Sequence, residues 1–251
     1  MKVVILAGGL GSRLEEETKY RPKPLVEISG IPILYHIMQI YMKYGFNDFI
    51  ICCGYKGHLI KNYFHKFVKQ KKNKNYKIKK SYYELNQGNN KIFSVNCINT
   101  GKNTMTGGRL KRLKKYLKNE TFMMTYGDGL SNINLKKLIR FHKKNKKLVT
   151  ISAVRPPARF GYLKLKGETV SYFKEKSSID EGWINGGFFV MNYKFLNYIK
   201  NDKTYLEKEP LEKITKKKQL SAFKHNGFWQ CMDTLRDKEN IEKILKKKNF
   251  K

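Results

Sequence analysis

The stretch VVILAGGLGSRL, residues 3–14, constrains the fold of this chain more than any other. Val3 to Ala7 form a continuous, mostly branched apolar run, which reads as a strand buried on both faces. The run empties directly into Gly8, Gly9 and Gly11, followed by Arg13. Glycines at a strand end let the backbone approach an anion and aim successive N–H groups at it. Arg13 adds a planar fork of donors suited to phosphate oxygens.

The next elements keep the same rhythm. IPILYHIMQIYMKYG carries apolar residues at helical spacing from Ile33 to Tyr44, with Pro32 as start signal and Gly45 as stop. DFIICCG is a second buried strand and KGHLIKNYFHKF a second amphipathic helix. Alternating strands and helices predict a parallel sheet with helices on its faces. The segment 69–92, polar and lysine-rich, is expected to be a surface excursion. FSVNCIN, TFMMTYGDG and GGFFVMN read as strands, and GGRLKRLKKYL as a helix with a stripe of Leu110, Leu113 and Leu117. After the helix LKKLIRFHKK, the stretches LVTISAV, GYLKL and TVSYFKE form three short strands in quick succession. Two helical stretches and a terminal helix from about Leu235 complete the chain. With no repeat and no linker, the expectation is one α/β domain over 1–251 with a mixed, mostly parallel central sheet.

The charge balance is lopsided: 53 Lys and Arg against 20 Asp and Glu, a formal net charge of +33. Such an excess can mark nucleic-acid or membrane-surface binding. Here the lysines are scattered through every polar segment, from KQKKNKNYKIKK to KILKKKNFK, whereas a dedicated patch would concentrate them on one element and interleave aromatics or arginines for base contact. That distribution points to lysine-biased composition and no specific nucleic-acid partner. No apolar run has the length of a bilayer span and the first residues carry no signal-peptide pattern, so a cytoplasmic protein without membrane attachment is expected. Cys52, Cys53, Cys97 and Cys231 form no CxxC pair and read as buried thiols.

Two phosphate-loop patterns fail at the opening turn. The chain has no GxxxxGK followed by Ser or Thr, and Leu14 stands where GxGxxG needs its third glycine. Further on, RPKPL holds Lys23 between two prolines, rigid and extended. TYGDG puts Asp128 at a strand end, and FWQCMDTLRD puts Asp233 near a second strand-to-helix turn. Each aspartate alone could be a helix cap; together they could close on one Mg²⁺ if their strand ends meet. YFKEK and GWINGGFFV offer Glu175 and Asn185 for sugar hydroxyls and Lys176 for a monophosphate, or a simple polar hairpin. Trp183 and Trp229 fit either a pocket or the core.

LAGGLGSRLEEETKYRPKPLVEISGIPILYHIM resembles the signature of sugar-1-phosphate nucleotidyltransferases, roughly GGxGxRL followed by a PKPL-type element. The resemblance implies a Rossmann-like nucleotidyltransferase fold and a loop of Leu6, Ala7, Gly8, Gly9, Leu10, Gly11, Ser12 and Arg13 around a nucleotide triphosphate. It implies Lys23 at the phosphates, Asp128 and Asp233 as the ligands of Mg²⁺, and Arg13, Lys23, Asp128 and Asp233 as the catalytic set. It also assigns Glu175, Lys176, Asn185 and Gly186 to the sugar phosphate, with Ser177 replacing the proline usual after that lysine.

NTGKNTMTGGRLKRL, PPARFGYL, EPLEKI and GFWQCMDTLRDKENIE look like the branch of this family that joins CTP to glucose 1-phosphate. That branch releases pyrophosphate and makes CDP-glucose for deoxysugar synthesis. It would have Thr104 and Arg109 address the acceptor edge of cytosine, its O2 and N3. Read alone, the same string is a capped basic helix. The resemblance further implies a homo-oligomer, hexamers included. UTP or dTTP in place of CTP is the nearest alternative; a basic nucleic-acid-binding protein on the same fold is a remoter one.

Overall fold

Nine strands form the central sheet of the computed structural model, which describes residues 1–71, 74–87, 90–156, 161–175 and 182–246. In chain order they are β1 (Val3–Ala7), β2 (Asp48–Cys53), β3 (Asn75–Lys79), β4 (Tyr82–Gln87), β5 (Asn90–Asn99), β6 (Phe122–Tyr126), β7 (Val149–Val154), β8 (Ile184–Met191) and β9 (Leu220–His225). Across the sheet the order is β9-β7-β8-β6-β1-β2-β5-β4-β3. β6, β1, β2 and β5 are parallel neighbours. β4 and β8 pair antiparallel with both of their neighbours, so they alone are reversed and the other seven strands share one direction.

Central position explains the unbroken apolar run of β1. Val3, Ile5 and Ala7 face one core, while Val4 and Leu6 face a second on the opposite side. The first core is closed by α1 (Ile33–Met42), α2 (Gly57–Lys69), α4 (Leu135–Asn145) and α6 (Leu235–Lys246). The second is closed by α3 (Thr106–Arg112), the turn Tyr193–Tyr198 and α5 (Glu209–Lys216). Leu110, Leu113 and Leu117 are all fully buried, although the helix breaks at Leu113 before a short turn at Lys114–Leu117. Cys52, Cys53 and Cys97 are buried free thiols, and Cys231 is half-buried.

Two expectations need correction. The segment 69–92 is not a mere surface excursion: β3 and β4 form a hairpin that extends the sheet through β5. Tyr83 and Leu85 alternate inward to the core while Tyr82, Glu84 and Asn86 take the other face, opposite Lys79, Lys77 and Asn75 of β3, a period of two. β9 was equally hard to see, because LSAFKH is nowhere fully buried. The hairpin Tyr162–Lys166/Thr169–Lys174 stands apart from the main sheet. Among the described residues no helix is long and apolar enough to cross a membrane.

Candidate active site

The carboxyl ends of β1, β2 and β6 lie side by side, which is where open α/β sheets gather ligands. β1 delivers the turn at Gly8–Gly11, and β6 delivers Asp128. Asp233 reaches the same place through a second, two-stranded pairing. Trp229–Cys231 runs antiparallel to Gly129–Ser131, with Cys231 opposite Gly129, and the Met232 N–H donates to Asp128 O at 2.8 Å. This pairing, not proximity in the chain, brings the two aspartates together. A capping box then fixes the α6 end: Asp237 Oδ2 accepts from the N–H groups of Asp233 and Thr234 at 3.1 and 2.9 Å, and Asp237 N–H donates to Thr234 Oγ1 at 3.2 Å.

Lys23 sits between the aspartates. Its Nζ donates to Asp128 Oδ2 at 2.7 Å and to Asp233 Oδ1 at 2.8 Å, and its side chain is 13% exposed. Arg13 donates to the other Asp233 oxygen at 2.8 Å from a largely exposed position. Burial acts to lower the Lys23 pKa, but the charges and hydrogen bonds of Asp128 and Asp233 outweigh it and hold the ammonium above its ordinary value. Burial likewise pushes the Asp233 carboxyl up, while Lys23 and Arg13 draw it below the usual carboxylate range. The group is therefore two carboxylates neutralised by two cations, all aimed at one point.

These four charges form one end of a cavity of about 340 Å³. The remaining wall comprises the loop residues Leu6, Ala7, Gly8, Gly9, Gly11 and Ser12 together with Thr104, Met105, Thr106, Arg109, Tyr126 and Tyr205. Of the loop residues expected around a triphosphate, Leu10 is the exception: it is 57% exposed and not part of the wall.

Arg109 has a task that its place in TMTGGR did not reveal. The side chain is buried and its fork is committed to backbone and hydroxyl: Nη1 donates to Thr100 Oγ1 and Gly101 O at 2.8 Å each. Nη2 donates to Gly8 O at 2.8 Å and Lys102 O at 3.3 Å. Four of its five N–H donors are engaged in these bonds. Gly8 packs so closely on the guanidinium that a Cβ there would overlap it. Arg109 thus fastens the glycine turn from behind.

α3 is held in turn by the segment 199–207. The N–H groups of Met105 and Gly107 donate to Asp202 O and Thr204 O at 2.8 and 3.0 Å, and Arg112 pairs with Asp202 through two bonds. Nothing in the sequence pattern pointed to this segment, and Thr106, Tyr205 and Glu207 were missed with it. Tyr126 was also missed, although its position two residues before Asp128 puts it at the same strand end.

Asn185 and Gly186 line a smaller recess of about 50 Å³ that shares Tyr126 and Asp128 with the main cavity. Trp229 lines that recess and its Nε1–H donates to Gly186 O at 2.7 Å, whereas Trp183 is exposed beneath Arg155 and Lys224. Glu175 sits on the exposed turn after the Tyr162–Lys174 hairpin and lines neither cavity. Lys176 and Ser177 lie outside the described residues.

The acidic pair has the donor chemistry of a divalent-cation site. Two hard oxygens converge on a point that already attracts an ammonium, and no cluster of three or more His, Cys, Asp or Glu adds to them among the described residues. Two carboxylates with open positions suit an ion that keeps waters and takes phosphate oxygens, as Mg²⁺ does.

The model of the nucleotidyl transferase family matches residues 2–239. Over 239 residues the chain is 48% identical to the glucose-1-phosphate cytidylyltransferase of Salmonella typhimurium, covering 95% of this chain and 93% of that protein. It is 41% identical to a probable glucose-1-phosphate cytidylyltransferase of Bacillus subtilis, covering 94% and 93%. Among solved structures, HddC from Yersinia pseudotuberculosis superposes with a TM-score of 0.70 at 27% identity, over 97% of this chain and 99% of that one.

Proposed function

The chain belongs to the nucleotidyl transferase family, and we propose that it transfers the cytidylyl group of CTP to glucose 1-phosphate, forming CDP-glucose and pyrophosphate. The observation that carries this reading is the convergence of Asp128 and Asp233 on Lys23 at the foot of a cavity walled by the glycine turn and α3. The 48% identity to a cytidylyltransferase supports the choice of base and sugar.

The nucleophile is a phosphate oxygen of the sugar phosphate, already an anion, so no general base is required. The chain must bring two polyanions together and hold the growing charge. The glycine turn offers its N–H groups to the triphosphate, and Lys23 and Arg13 neutralise the α-phosphoryl oxygens and the departing pyrophosphate. Asp128 and Asp233 would hold Mg²⁺, which supplies Lewis-acid neutralisation of phosphate charge. Lys23 and Arg13, which pair with these carboxylates, are the cations placed to face the phosphates beside such an ion. Thr104, buried in the wall beside Arg109, addresses the cytosine edge. Asn185 and Gly186 meet the sugar, while the assignment of Glu175 and Lys176 to sugar and phosphate rests on the sequence resemblance alone. The same reading includes a cytoplasmic homo-oligomer.

Pyrophosphate release with glucose 1-phosphate and each of CTP, UTP, dTTP, ATP and GTP tests the proposal. CTP is expected to give the highest kcat/KM; a higher value for UTP or dTTP would overturn the assignment of the base.

A further inference from the structure

Glu207 lines neither the main cavity nor the recess, yet it is bonded to the walls of both. It sits between the Tyr193–Tyr198 turn and α5, and its two oxygens serve different partners. Oε2 accepts from Thr106 Oγ1 at 2.7 Å, on the α3 wall of the main cavity. Oε1 accepts from Tyr126 Oη at 2.7 Å, the residue shared by the two cavities. A carboxylate can only accept, so both hydroxyl hydrogens must point at Glu207.

That constraint travels one bond further. With its hydrogen committed, Tyr126 Oη is an acceptor on its other side, and there it receives Asn185 Nδ2 at 3.3 Å. The opposite end of the same amide, Asn185 Oδ1, accepts the Gly187 N–H at 2.8 Å. The Asn185 amide is therefore oriented from both ends. What it still offers to a ligand is the second Nδ2 hydrogen and the second lone pair of Oδ1.

We propose that Glu207 is a positioning residue: through Tyr126 it fixes which face of the Asn185 amide meets the sugar phosphate, and through Thr106 it ties that orientation to the nucleotide wall. This inference rests on the reading that Asn185 contacts the sugar. Removing Glu207 frees the Tyr126 hydroxyl to rotate and to compete for the amide, at the level of one hydrogen bond.

The test is a kinetic cycle of wild type, Glu207→Ala, Asn185→Ala and the double variant, with thermal stability measured for each. Glu207→Ala is expected to raise the KM for glucose 1-phosphate roughly three- to tenfold, the worth of one net hydrogen bond, with kcat within about twofold. In the Asn185→Ala background the same change is expected to add less than about 1.5-fold, because its target is gone. An equal factor in both backgrounds would overturn the proposal and leave Glu207 as a brace. If Glu207→Ala does not fold, Glu207→Gln keeps the packing, forces one hydroxyl to face an amide hydrogen, and runs the same cycle. The cycle uses whichever nucleotide wild type turns over best, so a preference for UTP overturns the base assignment without touching the role of Glu207. A wild type inactive with every nucleotide overturns both.

Discussion

Arg109→Ala separates a base reader from a strut for the glycine turn. The substitution removes four hydrogen bonds made by a buried guanidinium. Not all four acceptors are stranded. Gly8 O keeps the Tyr55 N–H at 3.2 Å, and Thr100 Oγ1 keeps its own donation to Cys53 O at 2.8 Å. Gly101 O loses a 2.8 Å charged donor, and the turn loses its link to α3. A carbonyl stranded in a fully buried site costs about 1–3 kcal/mol, an upper bound for the half-buried Gly101 O; the loss of charge-assisted bonds adds to it, offset by relief of arginine desolvation. The net expectation is about 2–4 kcal/mol of stability, read from urea midpoints at unchanged m-value. On the proposed role of the turn in holding the triphosphate of any nucleotide, KM should rise by a similar factor for CTP, UTP and dTTP. A stability loss under about 1 kcal/mol with the preference for CTP selectively blurred would refute the strut and return Arg109 to base reading.

Asp128→Asn should lower kcat by at least about a hundredfold, and chelation of divalent cations should do the same to wild type; retained cation-dependent turnover would remove Asp128 from the site. Gly108→Ala should destabilise by about 1–3 kcal/mol, since a Cβ there would lie 2.5 Å from Asp202 backbone atoms; an unchanged melting temperature would show that α3 can back away from its clamp. Asp233 titrates below the usual carboxylate range in the folded protein, so its pairing stabilises fully above the unfolded value and the contribution fades as pH falls through the folded one. Asp233→Asn should therefore show a shallower acid loss of stability than wild type below about pH 4; parallel curves would contradict that linkage.

Strand β1, the helices at Ile33 and Gly57 and the acidic strand end at Asp128 were legible because each has an unbroken period or a punctuating glycine. β3, β4 and β9 were not: β3 and β9 are edge strands with no fully buried residue, and β4 buries only Tyr83 and Leu85 on one face. The residues of the turn, Lys23 and both aspartates were equally legible, and the structure brings them around one cavity. What escaped was the support behind it. Arg109 reads as a basic helix residue until Gly8 O, 101 residues away, is seen to accept from it. Glu207 carries no signal at all, because one of the two glutamates in YLEKEP acquires meaning only when Tyr126 and Thr106 approach it from different elements. Sequence pattern reports period and composition, while such contacts depend on how distant segments are docked.

In the proposed reaction the sugar phosphate attacks the α-phosphorus of CTP at the Asp128–Lys23–Asp233 centre. Glucose 1-phosphate labelled with ¹⁸O at its nonbridging phosphate oxygens, incubated with the protein, CTP and Mg²⁺, tests it by mass spectrometry of both products. All label should appear in CDP-glucose, one atom of it in the new phosphoanhydride bridge, with unlabelled pyrophosphate. Label in pyrophosphate, or failure to form CDP-glucose, would contradict that attack.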